Sequence, residues 1–226
     1  MAHGTARRTP IRDLLDNALV GEAVEVTGWV KTSRFSKNIS FVHVYDGSDT
    51  RTVQVVLTPD DAEEFKSRLG IGAAVRIAGA WVASPGGKQD MEISANTIEI
   101  VGDSDPSTYM LQRSRTSMEH LRTIAHVRSR TNTHQSVIRV RNALSWQIHQ
   151  FFQKRGFLWI HTPIISAADA EGAGELFQVM VDSDPTAFFG TPTFLTVSGQ
   201  LQVECFAQSH TDVYTFGPTF RAENSN

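Results

Sequence analysis

The sequence predicts an α+β chain built in two parts: a small five-stranded all-β barrel, then a region of long helix, short strands and loops. Three observations carry this. Between Glu22 and about Val101, short β-branched runs are separated by the turn signals Asp46-Gly47-Ser48 and Pro85-Gly86-Gly87, a spacing that indicates an all-β barrel. The cluster Gly102-Asp103-Ser104-Asp105-Pro106, which resists both helix and strand, then breaks the pattern. Beyond it, Val137, Val140, Leu144, Ile148, Phe151 and Phe152 recur at helical spacing.

The strand runs cover residues 23–30, 40–45, 52–57, 74–82 and 91–100, and a helix is expected over 60–69, between the third and fourth. Five strands with a helix in that position is the OB pattern. On the second strand, alternation puts Val42 and Val44 on one face and Phe41, His43 and Tyr45 on the other. One face fills the barrel and the other is an aromatic platform. On the third strand Val53, Val55 and Leu57 pack inward, leaving Gln54 outward on the side of Phe41. A base stacked on an exposed ring gains about 1–3 kcal/mol and an amide can read its edge; an ordinary strand with one exposed Phe would look the same.

Residues 1–102 therefore read as a barrel domain, 103–130 as a hinge and 131–226 as a second domain. Residues 117–130 are expected to be helical, with Arg122, Arg128 and Arg130 either on RNA phosphates or simply solvated. Thr133 is the expected N-cap of a long amphipathic helix ending at Gly156. The run Phe157 to Pro163 reads as a strand stopped by proline. Ser198 is the expected cap of a further helix that sets Gln200, Val203 and Glu204 on one face. In the closing string FGPTFRAENSN, strand alternation puts Arg221 and Glu223 on one face, Phe220 and Ala222 on the other.

Composition closes several function classes. A 226-residue chain that is 40% hydrophobic and 20% charged has the balance of a globular protein. Arg7 and Arg8 have no apolar run behind them, and Arg76 interrupts the apolar stretch from Ile71 to Ala83, so a signal peptide, a spanning helix and a membrane partner are not expected. A cytoplasmic protein is. The single Cys205 builds neither disulfide nor zinc knuckle and reads as a small core residue. The eight histidines show no metal-ligand spacing, and no structural metal is expected within the chain. Walker A and GxGxxG loops are missing. A net charge of −3 means that any RNA contact is local.

The string ending in GPTFRAENS closely resembles motif 2 of the class II aminoacyl-tRNA synthetases, in the wording of the asparaginyl branch of the aspartyl/asparaginyl subgroup. The stretch GWVKTSRFSKNISFVHVYDGS is similar to the same group's anticodon-binding OB domain. The resemblance runs from about Ile11 onward and implies the start of an antiparallel-sheet catalytic domain after the barrel. Motif 3 is missing, so the resemblance implies the N-terminal part of an enzyme, inactive alone.

The same resemblance implies a role for individual residues. Phe41 stacks on the central anticodon uridine, Gln54 contacts a base edge, and Arg34 meets backbone or base. The long helix with its strand is motif 1, a homodimer interface that brings Pro163 near the partner's active site. Arg221 holds the ATP α-phosphate and the substrate carboxylate, and Glu223 the nucleoside side. The loop EGAGELF closes over the amino acid, with Glu171 on its ammonium, and Ser198 and Gln200 hold the amino-acid backbone. Mg²⁺ bridges the ATP phosphates. The aspartyl enzymes read SPQLFKQ where this chain has SGQLQVE, so Val203 replaces a cation. A neutral asparagine amide needs no countercharge; Glu204 would accept its NH₂ and repel aspartate, or salt-bridge on the helix exterior. The expected activity is ATP-dependent activation of asparagine and transfer to tRNA(Asn). An aspartyl enzyme of relaxed specificity and a non-catalytic anticodon-binding fragment are the alternatives.

Overall fold

A computed structural model describes residues 9–87, 89–111, 116–168 and 176–223. By its packing the chain forms two units, Met1–Arg139 and Val140–Asn226.

The first unit is the barrel with its trailing helices. Strands β1 (Ala23–Arg34), β2 (Ser40–Tyr45), β3 (Val53–Leu57), β4 (Ala74–Ala83) and β5 (Met91–Gly102) close in the order β1-β2-β3-β5-β4. Closure depends on β1, which pairs with β4 over residues 23–29 and with β2 over residues 29–34, the latter ladder shifting register between Val30 and Thr32. The remaining seam is a short parallel pairing of β3 with β5. Alternation then sends Val26, Val42, Val44, Val53, Val55, Ile77, Trp81 and Ile93 into one buried core.

Two helices complete that core. The sequence reading had no helix before the barrel, yet α1 (Ile11–Asn17) is there and buries Ile11 and Leu14. Its anchor is Asp46, a buried carboxylate whose Oδ2 accepts from the Ile11 N–H at 3.0 Å. Helix α2 (Pro59–Phe65) starts at a capping box of Thr58 and Asp61 with proline in its first turn. It ends short of the expected residue 69 because the N–H groups of Arg68 and Leu69 both turn onto the Phe65 carbonyl.

The expected helix over 117–130 is two pieces. Ser117 caps α3 (Met118–Thr123), Ile124 leaves the helical region at φ −113°, ψ 46°, and α4 (Ala125–Arg128) follows. Helix α5 (Asn132–Gln153) begins one residue before the expected cap, for Thr131 rather than Thr133 accepts from a first-turn N–H, that of His134 at 3.4 Å.

In the second unit, α5 ends where the sequence placed its stop. Gly156 sits at φ +85°, Phe157 N donates to Phe152 O and Gly156 N to Gln153 O, and the Phe152 and Phe157 rings meet at 5.3 Å. That is a Schellman closure with its apolar contact. The strand expected after it is short: β6 (Leu158–Trp159) pairs in parallel with β10 (Val213–Tyr214) and has no longer ladder to join. An antiparallel sheet runs β7-β9-β8, from Ile165–Ser166, Thr193–Leu195 and Gln178–Val179. Helix α6 (Gln200–His210) precedes β10, and Cys205 on it is exposed rather than in a core. Residues 215–223 carry no strand, against the alternation reading, since no described neighbour offers them a ladder.

Candidate functional site

Two constellations emerge, one in each unit. On the barrel, antiparallel register places Arg34 opposite Phe41, Phe41 opposite Val56 and His43 opposite Gln54. Cross-strand partners share a face, so Arg34, Phe41 and Gln54 lie together on the outside of β1, β2 and β3, with His43 between them. Arg34 is exposed, while Phe41, His43 and Gln54 are half-buried. Tyr45 does not join them. It is buried, its ring 5.7 Å from that of Trp29.

Gln54 is held by a residue the sequence reading passed over. Glu92 is 5% exposed, and its Oε2 accepts from Gln54 Nε2 at 2.7 Å, Ser84 Oγ at 2.8 Å and Gln89 Nε2 at 3.3 Å. A carboxylate with several donors is stable in a barrel wall, where an unpartnered one would be costly. The amide nitrogen of Gln54 is thereby turned toward Glu92. His43 Nδ1 lies 3.3 Å from Thr52 Oγ1, and burial lowers its pKa by disfavouring the charged ring. Beside it opens a cavity of ≈ 470 Å³ lined by His43, Arg51, Gln54 and Gln89 among others. Arg51 bridges Asp49 and Asp16, each at 2.7 Å; its hydrogen bonds hold Asp49 well below the usual carboxylate range. An acid flanked by Met91 and Ile93 at the start of an expected strand was the available signal for Glu92.

In the second unit three extended segments run side by side. Thr196 N donates to Ile164 O at 2.7 Å, and Phe220 N donates to Thr196 O at 2.9 Å. The segment holding Arg221 and Glu223 is thus fastened to the residue that leads into α6. Arg221 Nη1 and Glu223 Oε1 are 3.7 Å apart, about half exposed each, so the two do share a side. An exposed pair of this kind contributes only about 0–1 kcal/mol.

Ser198 is not the cap of α6. Gly199 holds that position, and Ser198 Oγ accepts from Gln200 N at 3.1 Å while Thr196 Oγ1 donates to Ser198 O at 2.6 Å. Gly199 is buried, and a Cβ there would overlap the Thr162 side chain. This close approach lets the Thr162-Pro163 turn meet the head of α6. Pro163 itself is exposed. Pro163, Gly199 and residues 215–219 line one cavity of ≈ 250 Å³. Gln200 Nε2 donates to Glu204 Oε1 at 3.0 Å, one helical turn along, and both are exposed. Val203 is half-buried, and Gln202, singled out for no role, donates to Ser166 Oγ at 3.1 Å. Glu171 lies outside the described residues. No three His, Cys, Asp or Glu side chains among the described residues converge on a metal-sized site.

Comparison with known proteins finds matches to each part of the chain. A family model described as tRNA synthetases class II (D, K and N) matches residues 117–226, and one described as OB-fold nucleic acid binding domain matches 24–101. The chain is 50% identical over 224 residues to an asparagine–tRNA ligase of Protochlamydia amoebophila, covering 92% of this chain and 48% of that protein. With one from a Nostoc species it shares 49% over 232 residues, covering 96% and 50%. The chain thus spans about half the length of the curated relatives it matches. In fold it is similar to Pyrococcus horikoshii asparaginyl-tRNA synthetase complexed with asparaginyl-adenylate, with a TM-score of 0.79 at 22% identity over 96% of this chain and 49% of that one. It is also similar in fold to a putative aspartyl-tRNA synthetase from Leishmania major, with a TM-score of 0.77 at 22% identity over 100% of this chain and 47% of that one.

Proposed function

We propose that the chain is part of a class II tRNA synthetase of the D, K and N group and, within that group, of an asparagine–tRNA ligase. In this reading residues 1–102 bind the anticodon of tRNA(Asn), 103–130 form the hinge, and 131–226 contribute the first part of the catalytic domain. The observation that carries the catalytic half is the hydrogen bond from Phe220 to Thr196, which ties the Arg221 segment to the loop holding Ser198 and Gln200.

The chemistry has two steps. The carboxylate of asparagine attacks the α-phosphorus of ATP, expelling pyrophosphate and leaving asparaginyl-adenylate. A hydroxyl of the terminal adenosine of tRNA then attacks the carbonyl carbon, loses its proton and expels AMP. Arg221 is assigned to the α-phosphate and the substrate carboxylate, where a guanidinium that stays charged and offers directed donors offsets the charge on both reactants. Glu223 faces the nucleoside, Ser198 and Gln200 hold the amino-acid backbone, and Glu171 meets the ammonium. Gln200 fixes Glu204 through its amide, presenting a carboxylate that accepts from an asparagine NH₂ and repels aspartate. Mg²⁺ would neutralise ATP phosphates, but the described residues offer it no cluster of ligands, and no step is assigned through it. On the barrel, Phe41 stacks on a base, Gln54 reads an edge and Arg34 contacts the backbone or base. Helix α5 with Pro163 forms a homodimer interface. A cytoplasmic location follows from the activity; no helix among the described residues is long and apolar enough to cross a membrane.

A second reading is favoured by one contrast. The barrel core is closed, whereas α5 and α6 bury no residue. By itself the 226-residue chain would bind the anticodon without activating an amino acid. Pyrophosphate exchange with asparagine, measured on this chain and on a version extended to the relatives' length, tests both. Exchange only in the longer protein supports the two readings together, and preference for aspartate overturns the substrate assignment.

A further inference from the structure

A second cavity of the first unit lies away from the anticodon face. It measures ≈ 590 Å³, the size of a small-ligand site, and its wall includes Lys31, Tyr45, Tyr109, Arg130, Thr131 and Asn132. Lys31 and Arg130 are the full charges in that wall, and among the described residues neither has a carboxylate within ion-pair distance. Lys31 spends one of its three donors on the Arg130 carbonyl at 2.8 Å and lies 4.9 Å above the Tyr45 ring. The Arg130 guanidinium reaches the Tyr109 hydroxyl at 3.3 Å and stands 5.5 Å from the Trp29 ring. Two half-covered cations facing one cavity with no anion is an unbalanced arrangement, since burial without a countercharge disfavours the charged form.

The rest of the wall donates as well. Burial first, then the neighbouring Tyr109, with which its hydroxyl is hydrogen-bonded, pushes the Tyr45 phenol up to about 12, so it keeps its proton. Asn132 and Thr133 open the 22-residue α5, and their N–H groups donate to no described backbone carbonyl. Donors, two cations and the positive end of a long helix match a group with several acceptor oxygens and a full negative charge.

We propose that this cavity binds a phosphate group, supplied by the backbone of the bound RNA. The source rests on the tRNA-ligase reading; the phosphate site itself does not. A contact of this kind adds affinity without reading sequence.

The test measures tRNA(Asn) transcript binding to the 226-residue chain over a range of salt, for wild type, Lys31→Gln, Arg130→Gln and Phe41→Ala. Each cation variant should weaken binding by about tenfold at low salt, equally for an anticodon-substituted transcript, and flatten the salt slope by about one. Phe41→Ala should instead erase the preference for the correct anticodon and leave the slope intact. If only the Phe41 result fails, the anticodon reading falls and the phosphate site stands. Thermal melts with inorganic phosphate separate the sources: stabilisation of wild type but not of the variants, with RNA slopes unchanged, reassigns the site to free phosphate. Unchanged slopes and unchanged phosphate response in variants that melt like wild type overturn the proposal. If Lys31→Gln melts early, Arg130→Gln decides, with Lys31→Arg expected to retain the wild-type slope.

Discussion

In the barrel, Val26, Val42, Val44, Ile77 and Ile93 are completely enclosed, whereas on α5 Leu144, Trp146 and Phe151 each keep 50% or more of their surface exposed. Both regions obey their periodicities, period two in the strands and helical spacing along α5. The difference lies in whether a second apolar surface is there to meet the first. Barrel strands supply it to one another. The stripe on α5 forgoes about 1.5–3 kcal/mol for each large side chain left uncovered, and its geometry is maintained by the Schellman end and the rings gathered around Tyr214. A regular pattern therefore announces an element, and only packing reveals whether that element is self-sufficient.

The sharpest way to separate the two regions is Arg221→Ala in a version extended to the relatives' length. Asparagine-dependent pyrophosphate exchange should fall by about 10²–10³-fold, while tRNA affinity measured by filter binding stays put; parallel loss of both would break the division of labour. Next in size is a pair of truncations in the 226-residue chain. Trp81→Ala, in the enclosed core, should cost about 3–5 kcal/mol in denaturant unfolding. Leu144→Ala should cost less than about 1 kcal/mol, and an equal penalty would mean that the stripe is covered in solution. Third, Phe41→Ala should weaken tRNA binding by about 1–3 kcal/mol and leave amino-acid activation untouched in the extended protein.

The smallest effect is that of pH on the barrel. Because burial lowers the His43 pKa below its ordinary 6.5, the unfolded chain takes up this proton first as pH falls through that value. Stability is complete above it and declines below it. Urea midpoints at about pH 7.5 and pH 5.5 should differ less in His43→Gln than in wild type, and identical differences would remove His43 from the account.

Alternation was enough to predict the barrel strands and the shared face of Phe41 and Gln54, since period two fixes both; Arg34, past the expected end of the first strand, was named only by the family wording. Recurrence at helical spacing, with Gly156 behind it, was enough for α5. Helix α1 escaped because two turns hold too few apolar positions for a period, and its anchor, Asp46, comes from a distant turn. Glu92 escaped for a related reason: it meets Gln54 only where β5 runs parallel to β3, a pairing no local pattern encodes. The opposite error occurred at residues 215–223, where alternation was present and the ladder was not. Ser198 and Gly199 exchanged roles because Thr162 crowds the helix start, leaving room there only for a residue without a side chain. The family wording of the closing string was legible as letters; how Arg221 connects to Thr196 was not.

Tyr214 stacks on Phe152 at 4.5 Å, and its hydroxyl lies 2.7 Å from His149 Nδ1. Seven positions later the same strand's continuation delivers Arg221. The guanidinium thus rides on an arm whose shoulder is bolted to the last turns of α5, and any tilt of that helix is transmitted to the arm at its root. Under the proposed assignment of Arg221 to the ATP α-phosphate, a partner that seized the uncovered stripe would steady that arm in the same motion, so that association and competence would rise and fall as one.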